Sequence, residues 1–131
     1  GLLPEKMAIG LDPQGVSDLL DALAEAGITE EQVVAIGQGF RLMSAILGLA
    51  RKLKFKQAAH NGSRMMAWCV GNAKEEQGRQ TVMIVKNASG TAKIDPLMAC
   101  FNASKLLELN PVAGDGNGPS IYEDREMLVL G

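Results

Sequence analysis

Residues 7–39, MAIGLDPQGVSDLLDALAEAGITEEQVVAIGQG, predict a strand, a helix and a second strand. The first five residues, MAIGL, form a short apolar run that is typical of a buried strand. Apolar residues then recur at helical spacing, at Val16, Leu19, Leu20 and Leu23. Gly27 is a natural helix stop, and VVAI at 33–36 predicts a second strand. Strand, helix and strand in this order indicate an α/β layout with a parallel pair of strands.

The rest of the chain continues the alternation of helices and strands. We predict a strand over 79–86 and helices over 41–54, 64–73 and 95–109. Asp12-Pro13 and Asp95-Pro96 each predict a helix start, because Asp caps a helix and Pro fits its first turn. Only two or three strands precede residue 90, whereas a sheet usually has about five or six. We therefore expect a fragment that lacks N-terminal strands, with a partial domain at 1–110 and a flexible Gly-, Asn- and Pro-rich tail at 111–131.

Length and composition exclude several classes of protein. The chain has 131 residues, of which 47% are hydrophobic and 21% charged, as in one ordinary globular domain. Two cysteines are too few for a disulfide scaffold and favour a reducing compartment such as the cytoplasm. No apolar run reaches the roughly 18 residues that a membrane span needs, so we expect no membrane association.

Charge is distributed unevenly along the chain, although the net charge is only −2. Residues 1–40 contain one base and seven acids, and residues 41–94 contain ten bases and two acids. Residues 95–131 contain two bases and six acids. A polyanion responds to the local field and not to the total, so the basic middle predicts a surface that binds a phosphate backbone. The candidate nucleic-acid contacts are Arg41, Arg51, Lys52, Lys54, Lys56, Arg64 and Lys93.

Two acids are candidates for chemistry. Asp12 directly follows the first strand, and Asp95 opens the late helix. In open α/β sheets, functional groups gather at the carboxyl ends of strands. Aspartates that converge there are hard oxygen ligands suited to Mg²⁺ or Mn²⁺, and two such ions can promote phosphodiester cleavage. The alternative is that both residues are ordinary helix caps.

Other site types have weaker support. The turn Gly37-Gln38-Gly39 lies between a strand and a helix, but Leu42 stands where a dinucleotide fingerprint needs Gly or Ala, and no Walker Lys-Ser/Thr pair follows. His60 is the only histidine, and with Cys69 and Cys100 it lacks the spacing of a zinc site. The simpler interpretation is a tight turn, a loop histidine and two buried thiols.

The landmarks, taken in order, resemble the C-terminal nuclease domain of the tailed-phage large terminase, the DNA-packaging motor protein. The matching pieces are AIGLD at 8–12, AEAGI at 24–28, GQGFRLMS at 37–44, HNG at 60–62, MMAWCVGNA at 65–73, KIDPLMACFNA at 93–103 and SIYEDREMLVL at 120–130. No single piece is decisive, but their order and spacing extend over nearly the whole chain.

The resemblance implies a ribonuclease H-like fold, a mixed sheet flanked by helices that carries a cluster of three metal-binding acids. Asp12 matches the acid after the central strand, and Asp95 matches the acid of the C-terminal helix. The family's acid on the first strand has no counterpart here. Gly37, Gln38, Gly39, His60 and Lys86 match recurring positions that support the site. Many relatives have a bulky residue where this chain has Gln14, so the local groove surface can differ.

The resemblance also implies a function. We expect the parent protein to be a Mg²⁺- or Mn²⁺-dependent endonuclease, with a two-metal site in its complete domain, that cuts concatemeric double-stranded DNA in the bacterial cytoplasm. Its partners would be an ATPase domain, the small terminase subunit and the portal. We expect the fragment to cut DNA poorly and to self-associate through an exposed sheet edge. The alternative hypothesis is a non-catalytic DNA-binding or docking module from a decayed prophage.

Overall fold

The unit at residues 7–39 forms a parallel strand pair, as the sequence predicts, in a computed structural model that describes residues 3–88, 90–109 and 111. Strand β1 spans Ile9–Leu11, helix α1 spans Ser17–Glu25, and strand β2 spans Val33–Ala35. Leu11 lies opposite Ala35 in the register. Because the strands are parallel, their carboxyl ends lie at the same edge of the pair.

Helix α1 begins later than expected, and the prediction that Asp12 caps it is wrong. The helix starts at Ser17, whereas Asp12 Oδ1 accepts a hydrogen bond from the Gln14 N–H at 3.0 Å. This local turn continues through Gly15, whose φ of +67° interrupts helical geometry. The predicted end is confirmed, since Gly27 has a φ of +85° and the Ile28 N–H donates to Leu23 O at 2.9 Å. This arrangement is a Schellman end.

The remaining elements follow in chain order. A short 3₁₀ turn, Gly39–Leu42, leads into the second helix, and a hairpin of two strands separates the third helix from the last. The elements are α2 at Met43–Lys54, α3 at Arg64–Gly71, β3 at Ala73–Gln77, β4 at Val82–Lys86 and α4 at Asp95–Leu107. The predicted helices and the strand over 79–86 are therefore confirmed within a few residues, except that α4 begins at Asp95 with Ile94 as its cap.

Strand β3 was not predicted from the sequence. It pairs antiparallel with β4, and Gln77 lies opposite Val82. Its sequence AKEEQ has no alternation of apolar and polar residues, and four of its five side chains are exposed. A strand of this kind is specified by its partner and not by its own pattern.

The described residues form two separate two-stranded sheets, β1–β2 and β3–β4. The architecture is therefore mixed α/β with small sheets and helices, and the ribonuclease H-like arrangement stays a prediction. Within the part of the chain that the structure describes, no helix is both long and apolar enough to cross a membrane.

The hydrophobic core lies where α4 packs against α2 and β1. Its buried members are Ile36, Leu42, Ile46, Phe101 and Leu106. Gly10 allows β1 to approach α4 closely, because a Cβ at this position would lie 2.9 Å from Ile36 Cγ1 and 3.4 Å from the Asn102 carbonyl oxygen. The core therefore fixes α4 over the strand that leads to Asp12.

A small polar network joins the start of α2 to the end of α4. The Lys105 ammonium donates to Glu108 Oε2 and to Ser44 Oγ, each at 2.7 Å, and the Ser44 hydroxyl donates to Glu108 Oε2 at 2.9 Å. The hydrogen bond from Lys105 is the main cause of the lowered pKa of Glu108. Burial of the carboxylate acts in the opposite direction and raises this pKa. A depressed carboxyl pKa stabilises the fold above the unfolded-state pKa and ceases to do so as pH falls through the folded-state pKa.

We expect Glu108→Gln to lower the free energy of unfolding at pH 7 by less than about 1 kcal/mol, because the pair is partly solvated. The difference from wild type should shrink as pH falls below the unfolded-state pKa of a glutamate, about 4.3, and should vanish once pH has fallen through the lower folded-state pKa of Glu108. Urea denaturation at several pH values measures this effect. Glu31→Gln, which removes an exposed pair with Lys6, is the control and should have almost no effect. An equal loss for Glu108→Gln at neutral and acid pH would contradict the role of the network.

Candidate functional site

The carboxyl edge of the parallel pair brings together two groups of residues that the sequence singled out. Asp12 follows β1, and the turn Gly37-Gln38-Gly39 follows β2 by one residue. The Ile36 N–H donates to Leu11 O at 2.7 Å, so the two chains are still paired where they leave the strands. Asp12 is half-buried, and its Oδ1 accepts from the Gln14 N–H.

Gln38 connects this edge to helix α4. Its Nε2 donates to the Ile36 carbonyl oxygen at 2.9 Å and to Asn102 Oδ1 at 3.0 Å. Asn102 is 8% exposed and is the one buried polar side chain in the described residues. A buried amide needs a partner, and Gln38 supplies it. The turn after β2 is therefore held against α4 by a specific side-chain contact.

Glycine is favoured at positions 37 and 39 of the turn for two different physical reasons. Gly39 has a φ of +65°, which favours glycine. A Cβ at Gly37 would lie 2.5 Å from Arg41 Cδ, so the side chain of Arg41 needs this glycine in order to cross the turn. The Arg41 guanidinium carbon lies 5.6 Å from the centre of the Phe40 ring. The predicted tight turn is confirmed, and Leu42 beyond it is fully buried in the core.

Asp95 is the first residue of α4 and is exposed. Asn102 follows seven residues later, which is two helical turns, so both residues lie on one face of α4 about 10 Å apart along its axis. This face is the one that contacts Gln38. Helix α4 thus carries Asp95 two turns before the residue that contacts Gln38.

A second contact fixes the chain just before Asp95. Asn72 Nδ2 donates to the Lys93 carbonyl oxygen at 3.1 Å, and the Asn72 carbonyl accepts from the Asn87 N–H at 2.7 Å. Lys86 ends β4 opposite Ala73, next to this junction. Lys86 lies one residue before Asn87 and Lys93 two residues before Asp95, so both lysines flank the segment that leads into α4.

The remaining predicted cations cluster around the end of α2 and the loop that follows it. Lys56 has a φ of +56° and directly follows the C-cap of α2, and Arg64 is the first residue of α3. Within the described ranges, no carboxylate lies within 4.0 Å of any of these side chains. Their charges are solvated and accessible to a phosphate backbone. The exposed cations of this basic surface are Arg51, Lys52, Lys54, Lys56 and Arg64.

His60 lies away from the carboxyl edge. Its Nδ1 accepts from the Gly62 N–H at 3.1 Å, and its side chain lines an apolar groove together with Leu97 and Cys100. Leu97 is two residues beyond Asp95, which corresponds to the opposite side of α4. The structure therefore does not bring His60 together with Asp12 and Gln38.

A metal centre requires several ligand side chains that lie close together. In residues 3–88, 90–109 and 111, no group of three or more His, Cys, Asp or Glu residues is placed to hold a metal ion. Asp12 and Asp95 offer hard oxygen ligands, but the described side chains do not complete a metal centre.

Two asparagines that organise the site were missed in the sequence. Asn102 binds Gln38, and Asn72 holds the chain before α4. Asn102 carries no clear signal of its own, because Met98 and Ala99 lie between it and Asp95 on that face of the helix. Asn72 carries no such signal either, since its role depends on its position after the last turn of α3.

A comparison with protein families identifies the family of this chain. The model of the terminase large subunit, endonuclease domain, matches residues 5–108, which extend from before β1 to the end of α4. No curated protein and no solved structure matches the chain. The family match covers all of the helices and strands described above and includes both Asp12 and Asp95. The chain thus belongs to the endonuclease domain family of terminase large subunits.

Proposed function

We propose that this chain is the nuclease part of a phage or prophage packaging terminase that cuts concatemeric double-stranded DNA into genome lengths. Family membership supports the general endonuclease role. The observation that carries the proposal is the Gln38–Asn102 hydrogen bond, which holds α4 against the carboxyl edge of the parallel strands. Asp95 lies two turns before Asn102 on the same face of α4, and this supports the proposal that Asp95 and Asp12 act at one site.

Asp12 and Asp95 are the proposed ligands of a divalent cation, Mg²⁺ or Mn²⁺. Carboxylate oxygens are the ligands that both ions prefer. Such a cation supplies the activation of water and the stabilisation of negative charge that phosphodiester hydrolysis needs. Two carboxylates are an incomplete set of ligands, so the complete two-metal site of a ribonuclease H-like domain requires a further acid from the full-length parent protein. Gly37, Gln38, Gly39 and Lys86 support the site by position and charge.

The basic surface is the proposed DNA interface. Its exposed cations have no carboxylate partner in the described part of the chain, so they can exchange their counterions for DNA phosphates. Arg41 and Lys93 lie nearer to the carboxyl edge and extend this surface towards Asp12 and Asp95. Contacts of this kind read the backbone and not the base edges, so cutting should have little sequence preference.

The proposed function implies partners. In the parent protein these are the ATPase domain, the small terminase subunit and the portal, in the cytoplasm of the infected bacterium. Each described strand has a hydrogen-bonded partner strand on one side only. An unpaired strand edge can pair with another chain, so we also propose that the isolated chain self-associates at high concentration.

The test of this function is DNA cleavage by the parent protein and by the isolated chain. We expect the parent protein to convert supercoiled plasmid to nicked and linear forms with Mg²⁺ or Mn²⁺, to lose this activity in a chelator and to regain it with excess metal. The isolated chain should be much less active, because its two carboxylates need a further ligand. Cleavage by the parent protein that persists after complete metal removal would contradict the proposal.

A second candidate is a DNA-binding or docking module without catalysis. One observation favours it: the described residues contain a solvated basic surface but no cluster of three potential metal ligands. Such a module would bind DNA with strong salt dependence and would not cut it in any metal. The cleavage assay on the parent protein separates the two candidates.

A further inference from the structure

A groove open to solvent runs between α2 and α4, and we refer to it as the α2–α4 groove. Its apolar part, about 480 Å³, is lined by residues that include Leu49, Leu53, Met66, Val70, Leu97 and Cys100. Its polar part, about 300 Å³, includes Ser44, Leu49, Arg51, Lys52, Leu107 and Glu108. Leu49 lines both parts, so they are neighbours on the same surface of α2 and α4.

The apolar part exposes side chains that usually seek a partner. Leu53 is 47% exposed and Val70 is 53% exposed, and they line the same pocket from α2 and α3. A contiguous apolar patch of this kind, beside a charged rim, is typical of a surface that binds a peptide or a protein. The rim at the polar part carries Arg51 and Lys52, so the complementary ligand combines an apolar run with acids.

We propose that the C-terminal segment, YEDREMLVL at residues 122–130, binds in the α2–α4 groove of its own chain. Its second half, MLVL, is a short apolar run that fits the apolar part. Its first half contains Glu123, Asp124 and Glu126 against one base, Arg125, and so complements Arg51 and Lys52. The segment therefore has both features that the groove requires, in one stretch of nine residues.

The lengths are consistent with binding within one chain. Helix α4 ends at Leu107, which itself lines the polar part, and Leu97 in the apolar part lies ten residues earlier, about 15 Å along the helix. Residues 112–121, VAGDGNGPSI, are rich in glycine. A Gly-rich chain of this length has a root-mean-square span of roughly 17 Å. The linker is thus long enough to bring the acids to the polar part, and the nine-residue segment is long enough to cover the roughly 15 Å from there to the apolar part. A short flexible linker of this kind gives an effective concentration in the millimolar range.

This docking has a consequence that rests on the proposed function. Arg51 and Lys52 belong to the proposed DNA interface, so the acids of the C-terminal segment would compete with DNA phosphates for them. Removal of the segment should then strengthen DNA binding. The docking itself involves neither DNA nor metal and is tested without them.

The test uses Cys100, which lines the groove, as a reporter in the intact 131-residue chain. Cys69 is 1% exposed and serves as the internal control. We expect the double substitution Leu128→Asp and Leu130→Asp to speed alkylation of Cys100 by iodoacetamide about threefold or more, because it releases the apolar run from the groove. Alkylation of Cys69 should stay slow in both proteins, which shows that the fold is intact.

Matched variants and conditions distinguish the alternatives. Ser120→Asp adds a charge near the segment without touching its apolar run and should leave the Cys100 rate close to that of the wild type. The protection should be independent of protein concentration, and salt should weaken it by screening the acids. Equal Cys100 rates in the wild type and the double variant would overturn the proposal. Protection that grows with protein concentration would overturn it too, because the groove would then be covered by a second copy.

Discussion

Replacing Asp12 or Asp95 by Asn is expected to reduce DNA cutting by the parent terminase by on the order of 100-fold or more. Loss of an outer-shell partner of a metal ligand already costs about 10–100-fold, and a ligand itself should cost at least as much. Asn keeps the size of Asp but removes the negative charge that holds a divalent cation. The rate of plasmid linearisation at saturating Mg²⁺ measures the effect.

The same variants should keep their affinity for DNA. Neither Asp12 nor Asp95 belongs to the basic surface, and removal of a negative charge cannot weaken phosphate binding by repulsion. Fluorescence anisotropy with a duplex, at several salt concentrations, measures this affinity. Glu25→Gln is the matched control, because Glu25 is an exposed acid in the last turn of α1, where the chain has returned towards the start of β2. If Asp12→Asn cut DNA at the wild-type rate, the assignment of Asp12 as a metal ligand would be contradicted.

Leu42→Ala is expected to lower the free energy of unfolding by about 2–5 kcal/mol, the usual range for a truncated core leucine. Leu42 is completely buried, at 0% exposure, in the core between β2, α2 and α4. The loss is large beside the total stability of a typical domain, roughly 5–15 kcal/mol. Thermal and urea denaturation of the 131-residue chain measure it.

The control for Leu42 is a leucine of the following helix that faces solvent. Leu47 is 50% exposed, so Leu47→Ala should change stability far less. If Leu42→Ala does not fold at all, Leu42→Met tests the same site, because a swap of similar volume costs less than about 1.5 kcal/mol. Similar effects of Leu42→Ala and Leu47→Ala would contradict the described core.

The elements that the sequence predicted well are those whose pattern is local. VVAI at 33–36 and the strand ending in Lys86 are apolar and β-branched, and Gly27 stops α1 with a left-handed residue that few other amino acids tolerate. Asp95-Pro96 begins a helix as expected. These signals depend on neighbouring residues and on no distant contact.

The predictions that failed depend on context. Asp12-Pro13 and Asp95-Pro96 are the same dipeptide. The positive φ of Gly15, however, interrupts helical geometry after Asp12-Pro13, and α1 begins only at Ser17. Strand β3 is polar and takes its conformation from pairing with β4. The mixed α/β class is confirmed, and the single mixed sheet implied by the family resemblance stays a prediction, since the described residues form two small sheets.

Part of the candidate site could be predicted from the sequence. Asp12 and the Gly37–Gly39 turn could be placed at one edge, because parallel strands end together. The contact that joins this edge to α4 could not be predicted, since Gln38 and Asn102 are 64 residues apart and each has ordinary neighbours. His60 matched a family position, but its side chain lines the α2–α4 groove.

The most direct test of the central claim is whether Asp12 and Asp95 bind the same divalent cation. Titration of Mn²⁺ into the isotope-labelled 131-residue chain, followed by paramagnetic broadening of amide signals, reports which residues approach the ion. We predict that broadening centres on Asp12 and Asp95 at the same Mn²⁺ concentration and that Asp12→Asn weakens it at both positions. Broadening around only one of them, or an unchanged pattern in Asp12→Asn, would contradict a shared metal site.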